Sequence, residues 1–223
     1  MHTNARMIPA RPSAWAERLF DLYLTRLFKR HFSALFLLGE LPRVDPTLPL
    51  LLLPNHSTWW DGFFIHLLNK KILRRRPYLM MLAEQLRRYP FFSRVGVFSI
   101  APQSAAHTRA SLRYAANVLR EPQNLLALFP QGELAPWEKR PLNYKRGLEV
   151  ILKQHGARVN LLPLALRLEF LGEQLPSAFF LFGENQIATH AEFEGMARLE
   201  QKEEALLERL RLALASGERG LSL

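Results

Sequence analysis

None of the chain's 223 residues is a cysteine. Disulfides, thiolate-held metals and a cysteine nucleophile are thereby excluded, and the composition suits a reducing compartment. Nor does any stretch reach the roughly 18 uninterrupted apolar residues that a membrane-spanning helix requires. Met1 to Arg6 lead into Pro9 and Pro12 rather than into the apolar centre of a signal peptide. The expectation is a protein that, where it meets a membrane, lies on it. No Walker-type glycine loop and no dinucleotide fingerprint is present. No His, Asp and Glu residues have the spacing of a metal site, so neither a metal nor a bound cofactor is expected.

Acidic residues are also scarce. Twenty Asp and Glu face thirty Lys and Arg, for a formal charge of +10. Such a balance favours an anionic partner: nucleic acid, an anionic membrane face or a phosphate-bearing substrate. No nucleic-acid recognition motif accompanies the charge, so a nucleic-acid partner is not expected. A hydrophobic content of 48%, with 11% aromatic, is that of a globular chain with a substantial core.

Residues 15–38 have helical apolar spacing. Trp15, Leu19, Tyr23 and Leu27 form one row, and Phe20, Leu24, Phe28, Phe32 and Phe36 lie beside it, with Arg18, Arg26, Lys29 and Arg30 on the other side. Two readings fit: a helix that packs its Phe face on the core, or an interfacial helix with Trp15, Phe20, Phe28 and Phe32 in the acyl boundary. Further on, short apolar runs at 48–53, 78–82, 124–129, 159–168 and 178–182 read as strands. Helical patterns at 61–73, 104–120, 145–155 and about 190–215 alternate with them. Thr189 to Glu192 has the spacing of a capping box at the start of the last helix. The alternation predicts a single α/β domain, a mixed but largely parallel sheet flanked by helices, preceded by the amphipathic helix.

Pro54-Asn55-His56-Ser57-Thr58-Trp59-Trp60-Asp61 stands where a predicted strand gives way to a helix. In open α/β sheets, ligands bind outside the carboxyl ends of the strands. Histidine suits proton transfer near neutral pH, and a carboxylate on its second ring nitrogen fixes the tautomer and stabilises the imidazolium. On one regular helix, positions five apart point about 140° away from each other (~3.6 residues per turn), so they would not meet. His56 and Asp61 can touch only if one is on the loop and the other on the first helical turn. A His and an Asp so spaced also occur by chance, as a loop histidine and a helix-start aspartate.

From Lys70 to Arg94 there are eight Lys and Arg against one Glu, among them Arg74, Arg75 and Arg76. This run reads either as a solvated face or as a surface for anionic headgroups, coenzyme A phosphates or an acidic carrier protein.

Asn55-His56-x4-Asp61 after an apolar strand resembles the first motif of the glycerol-phosphate and lysophospholipid acyltransferases. Glu84-Gln85-Leu86, Pro90-Phe91-Phe92, Gly96 and Phe98 look like that family's second block. Phe129-Pro130-Gln131-Gly132-Glu133 is similar to its Phe-Pro-Glu-Gly-Thr block, Lys145-Arg146-Gly147 to its Lys-x-Gly, and Leu161-Leu162-Pro163-Leu164 to its last strand. The likeness spans about residues 39–170. It implies a domain division of 1–38, tail and helix, and 39–223, acyltransferase domain.

The resemblance further implies an O-acyltransferase in which His56, oriented by Asp61, is the general base on a lipid hydroxyl. The donor would be acyl-CoA or acyl carrier protein, and the acceptor a lysophospholipid or glycerol-phosphate-type lipid. Gln131, Gly132, Glu133, Lys145 and Arg146 would bind substrate, and Arg74, Arg75 and Arg76 would join the membrane contact. The expected location is peripheral, on the cytoplasmic face. Two departures bear on the acceptor. Phe98 is followed by Ser99-Ile100-Ala101-Pro102 where the family's second block usually ends in an arginine, and Glu133-Leu134 replaces the common Thr-Arg. A phosphate-free acceptor, such as a glycolipid, terpenoid glycoside or hydroxylated lipid, is the alternative. A non-catalytic membrane-binding module on the same fold is a third reading.

Overall fold

The computed structural model describes residues 6–223. Among these residues are six α-helices: α1 (Ala14–His31), α2 (Asp61–Leu68), α3 (Ala83–Arg88), α4 (Ala105–Val118), α5 (Gly147–His155) and α6 (Met196–Ala215). The strands are β1 (Leu35–Leu38), β2 (Leu50–Pro54), β3 (Arg76–Leu82), β4 (Val97–Ile100), β5 (Asn124–Ala127), β6 (Val159–Glu169), β7 (Ser177–Phe182), β8 (Gln186–Ala188) and β9 (Leu221–Ser222). They form one sheet in the order β4-β3-β5-β2-β6-β7-β1-β9, with β8 beside β6. The run from β4 to β6 is parallel, β7 turns antiparallel to β6, and β1 lies parallel to β7. The mixed, largely parallel α/β architecture expected from the alternation is therefore present.

The physical reason is clearest at β2. Leu50 to Leu53 are all buried, so both faces of this strand are covered, as a central parallel strand requires. Leu50 and Leu52 pack with Phe20, Phe28 and Phe64 under α1 and α2. Leu51 and Leu53 pack on the opposite face with Leu112, Ile151 and Leu152 of α4 and α5. A third group, Leu38, Ala165, Phe179 and Leu181, is covered by Leu206, Leu207 and Leu210 of α6.

The N-terminal pattern is resolved in favour of the core. α1 stops at His31, Phe32 is extended, and residues 35–38 are a strand rather than the end of a long helix. Helical spacing continues through Phe36, but β7 offers a free edge and both faces of residues 35–38 are covered, which favours the ladder. Phe20, Phe28 and Phe32 are buried, where membrane contact was expected of them. Phe28 stacks on Phe64 with ring centroids 5.6 Å apart, and Phe32 meets Trp60 edge-on at 4.8 Å. The exposed apolar side of α1 is a different row: Trp15, Leu19, Leu22 and Tyr23. Asp21 fixes the helix to α2 through His66 Nε2 at 2.8 Å and through Lys70.

β4 is absent from the sequence-based expectation. Gly96 starts it with φ +93°, and a Cβ there would stand 2.0 Å from the Pro77 carbonyl oxygen, so only glycine permits this approach to β3. The outer edge of β4 is covered by the N-terminal strap. Ser99 N–H donates to Ile8 O, Ile8 N–H donates to the Ser99 hydroxyl, and that hydroxyl is hydrogen-bonded to His107. The capping box also forms, with reciprocal bonds between Thr189 and Glu192, but it closes a single turn. Gly195, at φ +93°, separates that turn from α6.

Candidate active site

At the carboxyl end of β2 the chain leaves the sheet at Pro54 and re-enters a helix at Asp61. Asn55 marks the exit. Its side-chain amide donates to Leu166 O at 3.1 Å, and its carbonyl oxygen accepts from Leu166 N–H at 2.7 Å, so the side chain continues the ladder to β6. The turn that follows closes on Asp61. His56 Nδ1 lies 2.8 Å from Asp61 Oδ2, which also accepts from the N–H groups of Ser57 at 2.8 Å and Thr58 at 2.9 Å. The Thr58 hydroxyl donates to Oδ1. Asp61 is 1% exposed, so its charge is held by four local donors in place of water. Loop-plus-first-turn geometry thus brings the two residues together.

His56 is held from outside as well. Its N–H donates to Gln131 Oε1 at 2.6 Å, and its carbonyl accepts from Ala135 N–H at 2.9 Å. The imidazole stacks on Phe129, 3.9 Å between centroids and 18° between planes. Nδ1 is committed to Asp61. Nε2 makes no hydrogen bond to another described residue, and the side chain keeps 24% of its exposure. The arrangement leaves one imidazole nitrogen held by a carboxylate and the other open to a reactant, which is the geometry that proton transfer requires.

The 129–135 turn departs from expectation at two positions. Gln131 is buried, and its side chain is taken by His56 N–H, so it braces the histidine instead of facing a substrate. Gly132 has φ +72°, but its own N–H is committed to Phe129 O at 3.0 Å and is not offered to an oxyanion. What Gly132 does allow is the approach of Lys145. A Cβ at 132 would sit 3.2 Å from Lys145 Cγ, and Lys145 N–H donates to Pro130 O at 2.8 Å.

Most other cations near this end are neutralised. Lys139 pairs with Glu133 at 3.8 Å, Arg146 with Glu149 at 2.8 Å, and Arg167 with both Glu138 and Glu169. Arg167 was not singled out from sequence; its only signal is its place five residues past the family-like Leu161-Leu162 pair. The Lys145 ammonium has no partner among the described residues. After Phe98 the end of β4 carries Ser99, Ile100, Ala101 and Pro102, with no cation.

Arg74, Arg75 and Arg76 lie at the start of β3, the end of the sheet opposite His56. Arg75 is not a free surface cation: its guanidinium donates to the carbonyls of Asp45, Leu48 and Pro122 and ties two loops to the start of β3. Membrane contact at this triplet and chemistry at His56 would need opposite ends of the sheet. At the same end of the sheet as His56, four segments instead carry an exposed apolar side chain: Trp59 after β2, Leu82 closing β3, Leu134 after β5 and Phe170 after β6.

An acyltransferase family model matches residues 40–167, more than half of the chain. Comparison with curated proteins finds none that matches. Among solved structures, the chain is similar to the crystal structure of the 1-acyl-sn-glycerophosphate (LPA) acyltransferase PlsC from Thermotoga maritima. The likeness covers 88% of this chain and 79% of that one, with a TM-score of 0.56 at 16% identity. At that identity it is a likeness of fold.

Proposed function

The chain belongs to the acyltransferase family, and on that premise we propose that it moves a fatty acyl group from acyl-CoA or acyl carrier protein to a lipid hydroxyl at a membrane surface. The acceptor class is a lysophospholipid or glycerol-phosphate-type lipid. The observation that carries this reading is the His56–Asp61 pair, with Nδ1 held at 2.8 Å and Nε2 uncommitted.

In this reading His56 Nε2 takes the proton of the acceptor hydroxyl as its oxygen attacks the thioester carbonyl. The imidazolium is stabilised by Asp61, whose orientation the Ser57, Thr58 and hydroxyl donors fix in advance. Collapse of the tetrahedral intermediate forms the ester and breaks the C–S bond, and the thiolate leaves with the proton from His56. No covalent enzyme intermediate is required. A base of this kind contributes roughly 10²–10⁴-fold. Beside the Gly132 turn, Lys145 is uncommitted among the described residues, and it would face the acceptor phosphate or the developing oxyanion.

A second reading, a phosphate-free acceptor, is favoured by the pairing of Lys139, Arg146 and Arg167 with glutamates and by the uncharged end of β4. Among the described residues no helix is long and apolar enough to cross a membrane. Contact with the bilayer would be peripheral, through Trp59, Leu82, Leu134 and Phe170 around the site and the Trp15, Leu19 and Leu22 row of α1. It would be on the cytoplasmic face, where acyl thioesters are available.

The test is incubation of the purified protein with labelled palmitoyl-CoA or palmitoyl carrier protein and a panel of acceptors, beside His56→Ala. The panel holds lysophosphatidate, glycerol 3-phosphate, lysophospholipids and hydroxylated glycolipids. Ester formation on a phosphate-bearing acceptor, lost in the variant, is the expected result. Ester formation on glycolipids alone selects the second reading. Transfer that survives in His56→Ala overturns the mechanism.

A further inference from the structure

Lys145 is the last but one residue of a loop, 133–146, whose position is set from behind by α6, a helix outside the residues that the family model matches. Three glutamates of α6, Glu200 and, one turn later, Glu203 and Glu204, face this loop. Glu200 accepts from the N–H groups of Asn143 at 2.7 Å and Tyr144 at 3.3 Å, and Glu204 accepts from Leu142 N–H at 3.1 Å. Asn143, at φ +58°, is in the left-handed region, and its N–H and that of Tyr144 turn toward one carboxylate.

Between these two lies Glu203, 0% exposed, in a stripe otherwise made of Met196, Leu199, Leu206, Leu207 and Leu210. Neither of its oxygens has a hydrogen-bond partner among the described residues, and the same is true of the buried Tyr144 hydroxyl. An unpaired carboxylate in that stripe is tolerable only without its charge.

We propose that Glu200, Glu203 and Glu204 form a clamp on residues 142–144 that positions Lys145 over the Gly132 turn, and that the clamp holds only while Glu203 is neutral. Glu200 and Glu204 supply the anchors by accepting backbone hydrogen bonds. Glu203 supplies the seat, because its neutral side chain lets the apolar stripe pack under β6 and β7. The charged groups around it are few. Tyr144 and Arg140 face it from the loop, and Glu200 and Glu204 flank it on its own helix. The packed strand residues Ala165, Phe179 and Leu181 do not titrate, and Arg167 and Glu169 of β6 are engaged with each other.

Burial pushes the Glu203 carboxyl up to about 8, with Arg140 opposing the shift. Burial and the neighbouring Glu203, Glu200 and Glu204 hold the Tyr144 phenol well above its ordinary value, so Tyr144 stays neutral throughout. Ionisation of Glu203 would place a third negative charge between two carboxylates already committed to the loop. Relief comes from parting α6 from residues 142–144, and Lys145 then leaves the Gly132 turn. Glu203 is a positioning residue, acting on substrate only through Lys145, and that part of the inference rests on the site reading given above.

Two measurements on the full chain test it. The first is amide hydrogen exchange of Leu142, Asn143 and Tyr144, as protection relative to the unstructured rate, from pH 6.5 to 9. The second is the split of KM and kcat for acyl transfer over the same range. Wild type should lose protection at these three amides across pH 8, with KM rising about tenfold or more and kcat changing less. Glu203→Gln, or Glu203→Leu should the amide fail to fold, should keep both protection and KM to pH 9. Glu200→Ala combined with Glu204→Ala should show the loosened loop at every pH.

An alkaline loss in the Glu203 variants equal to that of wild type overturns the role of Glu203. Full protection in the double variant overturns the clamp. If exchange behaves as expected while KM does not follow, the link to Lys145 is wrong and the clamp stands. A wild-type protein inactive on every acceptor counts against the enzymatic reading, and the exchange experiment still decides the clamp.

Discussion

The turn at 54–61 and the loop at 133–146 meet beside one histidine but are held by opposite means. In the turn, Asp61 gathers His56 Nδ1, two N–H groups and a hydroxyl from residues no more than five positions away. In the loop, the anchoring carboxylates come from α6, 56 to 62 positions later. A device built from neighbours can be complete once a strand ends and a helix begins. One built across the fold exists only after both elements dock. The first is therefore legible as a motif, and the second has no local signature.

The largest effect expected on this contrast is at Asp61. Asp61→Asn removes the acceptor that fixes the His56 tautomer and gathers the turn, and acyl transfer should fall by roughly 10²–10⁴-fold. Circular dichroism should report the fold retained. Activity within tenfold of wild type would show that the turn does not depend on its carboxylate.

Phe28→Ala asks whether the turn is as local as its bonds suggest. Phe28 is buried against Phe64 beneath the first turn of α2, and its truncation should cost about 3–5 kcal/mol in urea unfolding. The folded fraction should keep its kcat. A kcat that drops with stability would mean that the His56–Asp61 geometry is set by tertiary packing after all.

Gln131→Leu cuts the bond that ties the turn to the segment leading into the loop. The partly buried His56 N–H loses its acceptor at 2.6 Å, at a cost of about 1–3 kcal/mol in stability, and kcat should fall while KM holds. A rise in KM alone would return Gln131 to the substrate-contact role.

Turn and loop also each present one exposed apolar side chain, Trp59 and Leu134. Trp59→Ser and Leu134→Ser should each weaken sedimentation with anionic vesicles severalfold, since burying such a side chain is worth about 1.5–3 kcal/mol. Arg74→Gln with Arg76→Gln, at the far end of the sheet, should change it little. The reverse ranking would put the membrane at the basic end.

The smallest effect is expected at Asp21. Burial disfavours its charge, but the bonds from Lys70 and His66 outweigh burial and hold the carboxyl below its ordinary value of 3.8. A depressed pKa gives stability that is present above 3.8 and lost as pH falls through the folded value. Tm of Asp21→Asn should therefore lie below wild type at pH 6, and the gap should close in acid. A gap that is constant with pH would assign the loss to packing.

Much of the architecture was legible because β2, β3, β5, β6 and β7 are apolar runs long enough for strands and too short for buried helices. β4 was not, since Val97 to Ile100 follows directly on a glycine whose necessity shows only against Pro77. Glu203 left one faint sign, a charge in the row from Leu199 to Leu206 and Leu207, but periodicity alone reads such a residue as the edge of a solvated face.

By itself the sequence determined which segments alternate, where strand gives way to helix, and that His56 and Asp61 can touch only across that junction. These follow from side-chain period and local hydrogen bonding, which act within a few residues. Only the tertiary structure decided that the Phe row of α1 faces the core and leaves Trp15, Leu19 and Leu22 outside, and that residues 35–38 complete a sheet. The same holds for Gln131 bracing His56 and for three glutamates of α6 standing behind Lys145. In each case the chain supplies an apolar face or an unsatisfied polar group, and its partner is a distant segment brought near by burial.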